Sequence, residues 1–179
     1  MKAKLHAIAA LLSLIVCAAA GAARAQHQET GAHSMTDCPM HDKHNAEMED
    51  RGGRAMGFDQ RKTTHHFRLM PVGGAIEVEA NDAKDTADRD QIREHLKLIT
   101  RLFAGGDFSK PFAVHGQIPP GVDRLTKLKA AITYSFEETE NGGRVRISTT
   151  DAAALKALHD FLRFQITDHH TGDSLEVQN

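Results

Sequence analysis

The sequence predicts an α+β domain in which two ββα repeats form a four-stranded antiparallel sheet with helices packed on one face. Two pairs of short segments alternate between polar and apolar residues, and each pair is followed by an amphipathic helical segment. The second set follows the first at an offset of about 66 to 69 residues, which indicates a weak internal duplication. All eight phenylalanines lie between Phe58 and Phe164. These observations place the domain at residues 58–179, with the repeats at about 63–107 and 131–173.

The first repeat begins with two alternating segments, Thr63 to Met70 and Ala75 to Ala80, on either side of a Pro-Val-Gly-Gly turn. This arrangement predicts a β-hairpin. A helix is expected from about Asp85 to Ala104, where Gly105-Gly106 ends it. Its apolar face at helical spacing consists of Ile92, Leu96, Ile99 and Phe103.

The second repeat has the same order. Strands are expected from Ile132 to Phe136 and from Arg144 to Ser148, around the turn at residues 140–143. A second helix is expected to start at Thr150 or Asp151, either of which is a good N-cap residue. Its apolar face consists of Leu155, Leu158, Leu162 and Ile166. The connection between the repeats, residues 108–130, is expected to be irregular apart from a short helix near 122–129.

The first 25 residues have the pattern of a secretory signal peptide. A basic start precedes an apolar run from Ile8 to Ala20, and Ala23-Arg24-Ala25 forms a small-x-small cleavage site. We expect cleavage after Ala25, which gives a periplasmic or secreted protein with no stable membrane anchor; a retained anchor is the alternative. Loss of the two lysines and one arginine in this segment lowers the formal net charge from −2 to −5. That charge argues against nucleic acid as a partner.

Residues 26–57 contain no phenylalanine, isoleucine, leucine or valine. Such a segment buries too little apolar surface to offset its ordering entropy, and we expect it to be disordered when empty. After cleavage Cys38 is the one cysteine left in the chain. In an oxidising compartment a lone cysteine pairs between chains, reacts, or binds metal.

This tail is rich in metal-binding side chains. Thiolate and thioether sulfur favour Cu(I), and imidazole extends the range to Cu(II), zinc and nickel. The Cys38-Pro39-Met40-His41 run resembles the Cys-Pro-Met-His core of short heavy-metal-binding modules in bacterial copper-efflux proteins, which implies copper binding. A polar linker with chance donors is the alternative. Eight potential ligands lie within 24 residues: His33, Met35, Cys38, Met40, His41, His44, Met48 and Met56.

The domain carries a second set of candidate ligands, which are His66, His95, His115, His159 and His169. On the first strand His65 shares a face with Phe67 and Leu69, and His66 lies on the other face. His95 and His159 hold comparable positions at the edge of the two apolar helix faces. If the repeats pack symmetrically, these two face one another and hold zinc or copper, or ligate haem from both sides. The alternative is that each histidine is half-buried and bonded to a backbone carbonyl.

Several segments of the domain together resemble a family of exported bacterial proteins for which no activity is established. They are Phe58-Asp59, residues 63–67, residues 74–78, His115 with Pro119-Pro120-Gly121, and residues 159–166. Members are sometimes labelled aspartate carbamoyltransferase. The residues do not support that label, because the Ser-Thr-Arg-Thr loop and the four cysteines of a regulatory zinc site are absent.

Binding is favoured over catalysis. The chain has no G-x-S-x-G elbow, no H-E-x-x-H and no phosphate-binding glycine loop. We expect a protein that handles or senses a transition metal, most of all copper, with zinc as the other candidate. Its expected partner is a metal ion or a small ligand. Exposed sheet edges could also pair to form a homodimer. The alternative is a small ligand- or haem-binding domain with a passive linker. A third option is a small enzyme in which Asp90, Glu94 or Asp160 orients a helix histidine.

Overall fold

The computed structural model describes residues 39–179. In chain order the elements are α1 (Pro39–Met56), β1 (Thr63–Met70), β2 (Gly73–Ala80), α2 (Thr86–Ala104), α3 (Ser109–His115), α4 (Val122–Lys127), β3 (Ile132–Glu138), β4 (Gly142–Thr149) and α5 (Ala152–Asp168). Short 3-10 turns precede β1 and β3. None of the helices in this part of the chain is long and apolar enough to cross a membrane.

The four strands form one antiparallel sheet in the order β1-β2-β4-β3. Helix α2 packs over β3 and β4, and α5 packs over β1 and β2. The predicted α+β class with a four-stranded antiparallel sheet is therefore confirmed. The ββα order occurs twice, as β1-β2-α2 and β3-β4-α5. Whether the two halves arose by duplication stays a prediction.

The core lies between the sheet and its two long helices. Alternate residues of the strands point into it, as the period of two requires, and Leu69, Val78 and Val145 are almost fully buried. On α2 the whole predicted apolar face is buried. On α5 the buried face is centred on Leu158, Phe161 and Leu162, and the predicted Leu155 is half-buried.

Each long helix begins at an aspartate that caps its free amide groups. The Asp151 carboxylate accepts hydrogen bonds from the amides of Ala153 and Ala154, at 2.9 and 2.8 Å. Asp85 accepts one from the amide of Asp88, at 3.1 Å. An aspartate at this position satisfies donors that have no partner within the helix. The predicted starts of both helices are thus correct to within a residue.

Two helices were not predicted. Helix α3 lies in the connection expected to be irregular, where Pro111 is its third residue. Proline is tolerated in the first turn because the amide it lacks has no helical partner there. Helix α1 occupies most of the segment expected to be disordered, and the structure corrects that expectation over Pro39–Met56. Residues 26–38 lie outside the described part of the chain, as does the predicted signal peptide.

Helix α1 is held by contacts that need no large aliphatic residue. Met48 is 4% exposed. The Arg51 Nε donates to the carbonyl of Val114 at 2.9 Å, and the Lys110 Nζ donates to the carbonyl of Ala55 at 2.9 Å. Each of these bonds joins a side chain of one helix to a backbone carbonyl of the other, so tertiary contacts supply the stability that composition does not.

The C-terminal segment runs along the outer edge of β1. The amide of Phe67 donates to Asp173 Oδ2 at 2.9 Å, and the amide of Gln178 donates to the carbonyl of Leu69 at 2.8 Å. These bonds satisfy groups that an edge strand leaves open to a second sheet. Of the two edge strands, β3 therefore leaves more backbone groups open for pairing with a second sheet than β1 does. The homodimer itself stays a prediction.

Candidate functional site

Four histidines converge on one cavity in the core: His65, His95, His115 and His169. The cavity has a volume of about 60 Å³ and lies between the sheet, α2, α3 and α5, with Met56 of α1 at its border. Its only other polar lining residues are Lys110 and Gln165, in walls otherwise built from aliphatic and aromatic side chains. A set of imidazoles in such an apolar setting is the feature of the described chain that most needs a functional explanation.

Each histidine reaches the cavity from a different element. His65 points inward because it has the same parity on β1 as Phe67 and Leu69. His95 lies on the buried face of α2. His115 is the last residue of α3, and His169 is the C-cap residue of α5. The convergence is therefore a product of tertiary structure, and no short sequence motif encodes it.

The rings pack against one another and against phenylalanines. His65 and His169 stack with ring centroids 5.5 Å apart and planes 8° apart. The ring of His115 meets His169 edge-on at 5.0 Å. His95 meets Phe58 edge-on at 5.7 Å. Among these imidazoles His95 and His115 are buried, whereas His65 and His169 keep part of their surface exposed.

Burial changes the charge state of three of these rings. It lowers the pKa of His65 to about 4, and the neighbouring His95 and His66 act in the same direction. Burial also lowers the pKa of His95 to about 4, with Lys110 adding to the effect. The pKa of His169 lies well below its usual value, again mainly because of burial. At neutral pH the three rings are uncharged, so each offers a nitrogen lone pair.

His115 is held on both sides of its ring. Its Nδ1 lies 2.5 Å from Asp168 Oδ2, and its Nε2 lies 3.0 Å from Gln165 Oε1. The ring donates from Nδ1 to the carboxylate, which fixes its orientation. It either donates from Nε2 to the Gln165 oxygen or, with the amide turned by 180°, accepts from the Gln165 nitrogen.

Two buried polar atoms of the cavity residues have no hydrogen-bond partner, the Nε2 of His65 and the Nε2 of Gln165. Leaving a buried polar group unpaired costs about 1–3 kcal/mol. Such groups persist where a ligand, an ion or a water satisfies them. The unpaired His65 nitrogen is therefore a group that a ligand, an ion or a water could satisfy.

The structure separates two predicted ligands from this site. His66 lies on the other face of β1, where its Nδ1 is 2.9 Å from Asp173 Oδ1. His159 donates from Nε2 to the carbonyls of Met70 and Gly73 at the β1–β2 turn, at 3.1 and 3.0 Å. The expected pairing of His95 with His159 is thus not formed, because α2 and α5 lie over different strands. His159 fits the alternative, a buried histidine bonded to backbone carbonyls.

The acidic residues considered as partners of helix histidines bind basic side chains instead. Asp90 pairs with Arg89, Glu94 with Lys97, and Asp160 with Lys156. The acid that contacts a cavity histidine is Asp168, which the sequence did not single out for that role. His65 was also missed as a ligand, although its place on the Phe67 and Leu69 face was a usable signal.

The tail ligands lie at the boundary of what the structure describes. Met35 and Cys38 fall outside the described residues. Met40, His41 and His44 belong to the first turns of α1, but their side chains are not among those described. Among the side chains that the structure describes, no three from His, Cys, Asp or Glu are arranged to hold one metal ion.

Comparisons with family models, curated proteins and solved structures find no match to this chain. The cavity therefore has to be interpreted from its own chemistry.

Proposed function

We propose that this chain is an exported transition-metal-binding protein, that copper is the ion it handles, and that the histidine cavity is its folded binding site. The observation that carries the proposal is the convergence of His65, His95, His115 and His169 on one apolar cavity. In this account the Met/His/Cys tail captures the ion, and the signal peptide and its cleavage after Ala25 direct the protein to the periplasm.

The protonation state of the cavity supports metal binding. A histidine binds a metal through an unprotonated nitrogen, so protons compete with the ion wherever the pKa is near the ambient pH. Burial lowers the pKa of His65 and His95 to about 4. An ion that enters at neutral pH displaces no proton from them. The unpaired Nε2 of His65 also has no hydrogen bond to lose.

The arrangement of the rings favours Cu(I) over zinc. Structural zinc is almost always bound by four ligands in a tetrahedron, and the described rings do not form a set of three. Cu(I) is softer and binds stably with fewer ligands, and both imidazole and thioether suit it. Met56 lines the cavity beside the histidines and offers such a thioether.

The test is an anaerobic Cu(I) titration of residues 26–179 against a competing chelator. The tail is silenced by Cys38→Ser, Met40→Leu, His41→Gln and His44→Gln so that the cavity is measured alone. We expect His65→Gln to weaken Cu(I) binding by about tenfold or more. His66→Gln is the matched control, since it changes the neighbouring residue on the opposite strand face. Equal affinity of the two variants contradicts the proposal.

A small uncharged ligand is the second candidate, favoured by the unpaired Nε2 atoms of His65 and Gln165. The volume of about 60 Å³ suits a molecule of a few atoms. It is far below the roughly 300–1,000 Å³ of pockets for drug-sized ligands, so haem requires the cavity to open. Native mass spectrometry of protein from its own periplasm separates the candidates. An added mass of copper supports the first, and an organic mass supports the second.

A further inference from the structure

Helix α1 places two methionines over the histidines. Met48 is 4% exposed, and Met56, two turns later, is partly buried against the core. Between them Gly52 is buried, and a Cβ there would lie 1.2 Å from the Gln60 side chain. The helix thus approaches the domain closely along this face. Hydrogen bonds from Arg51 and Lys110 hold it there.

A second cavity is also lined by the stacked imidazoles. Its volume is about 230 Å³, and Met48, Gln60, Thr63, His65, His169 and Thr171 are among its lining residues. His65 and His169 therefore line both cavities. Met48 lines the second cavity and Met56 lines the first, so each cavity has a thioether among its lining groups.

We propose that Met48, His65 and His169 form a Cu(I) site of one thioether and two imidazoles beneath α1. The inference rests on the proposed function and extends it, because it assigns a ligand in a helix that composition alone marks as a linker. Thioether sulfur is a soft donor and imidazole suits the same ion, so the three groups match Cu(I) in chemical type.

The site has a consequence for the role of α1. The helix begins at Pro39, within the Cys-Pro-Met-His run. Met48 of this helix lines the same cavity as His65 and His169. Helix α1 acts as part of the binding site.

The experiment compares Met48→Leu with Met70→Leu in residues 26–179. The background carries Cys38→Ser, Met35→Leu and Met40→Leu to remove tail sulfur. Leucine keeps the volume of methionine, and such exchanges usually cost less than about 1.5 kcal/mol. Met70 lines neither cavity and is the matched control. We expect Met48→Leu to weaken Cu(I) binding about tenfold or more and to reduce copper–sulfur scattering in X-ray absorption, while Met70→Leu changes neither.

A second measurement needs no substitution at the site. In protein with 13C-labelled methionine methyl groups, Ag(I), a diamagnetic stand-in for Cu(I), is expected to shift the Met48 resonance and leave Met70 in place. An unmoved Met48 resonance, or unchanged affinity and scattering in Met48→Leu, overturns the inference. If His65→Gln weakens binding and Met48→Leu does not, only the thioether site fails. If His65→Gln has no effect, the proposed function itself fails.

Discussion

His65 of β1 and His169 at the end of α5 stack with ring centroids 5.5 Å apart and almost parallel planes. Both rings line both cavities, and the pair lies next to Phe67, whose ring centroid is 5.6 Å from that of His169. A positive charge on either ring disfavours a positive charge on the other, and burial lowers the pKa of both. Protons and metal ions compete for the same ring nitrogens, so we expect the ring pair to respond to both pH and metal ions.

The first prediction concerns stability in mild acid. The folded pKa of His65 and of His95 is about 4, below the ordinary value of 6.5 for an unfolded chain. Between these values the unfolded chain binds more protons than the folded one. Stability is therefore fully present above about pH 6.5 and falls as the pH drops toward 4, by up to about 3 kcal/mol for each histidine. Urea unfolding at pH 7, 5.5 and 4.5 measures the slope. In His95→Gln the slope should be shallower, and an unchanged slope contradicts the assignment.

The second prediction separates the cavity from the tail by pH. Because the pKa of His65 and of His95 is about 4, each keeps a free nitrogen lone pair at pH 5.5, and the Cu(I) affinity of the cavity should change little between pH 7 and pH 5.5. Histidines in an open tail titrate near pH 6.5 and should lose affinity over the same interval. Chelator competition at both pH values, on the tail-silenced chain and on a His65→Gln/His169→Gln chain, makes the comparison. If the Cu(I) affinity of the two chains changes equally between pH 7 and pH 5.5, the result counts against a buried site.

The third prediction tests the capping of α5. Asp151→Ala removes the acceptor for two amides and should lower the free energy of unfolding by about 1 kcal/mol. Asp151→Asn keeps a capping oxygen and should recover most of that loss. Thermal unfolding measures both variants. Equal melting temperatures for the two would show that the carboxylate oxygen does not cap the helix.

The fourth prediction concerns the Pro-Pro-Gly turn that leads into α4. Gly121 has a φ of +85°, and a Cβ there would lie 2.1 Å from the carbonyl oxygen of Ala157. Gly121→Ala should therefore destabilise the domain by more than the 1–2 kcal/mol of the left-handed backbone alone. Gly172 has a similar φ of +74° but open space around it, so Gly172→Ala isolates the backbone cost. Denaturation midpoints that are the same for both variants contradict the predicted clash.

Much of the fold follows from local pattern. The two hairpins and the two long helices were predictable because strand alternation and helical spacing coincide with caps and turns that end each element. Helix α1 escaped prediction because its burial depends on one methionine, one glycine and bonds from α3. Helix α3 escaped because Pro111 suggests a loop when its position within the turn is unknown.

The site was predictable only in part. His95, His115 and His169 were expected ligands and do meet, whereas His66 and His159 do not. The difference depends on which strand lies beneath each helix, and sequence spacing carries no such information. His65 shared a face with Phe67 and Leu69, and that apolar face gave the one local signal that it points inward. The link from Asp168 to His115 arises from the packing of α3 on α5.

The central claim is that the histidine cavity binds copper, and an anomalous difference map at the copper edge tests it most directly. Crystals of residues 26–179 grown with Cu(I) should show a peak between His65 and His169, within coordination distance of at least one imidazole nitrogen. The same map from His65→Gln crystals should lose that peak. A copper peak confined to the tail, with none beside these two rings, would contradict the account.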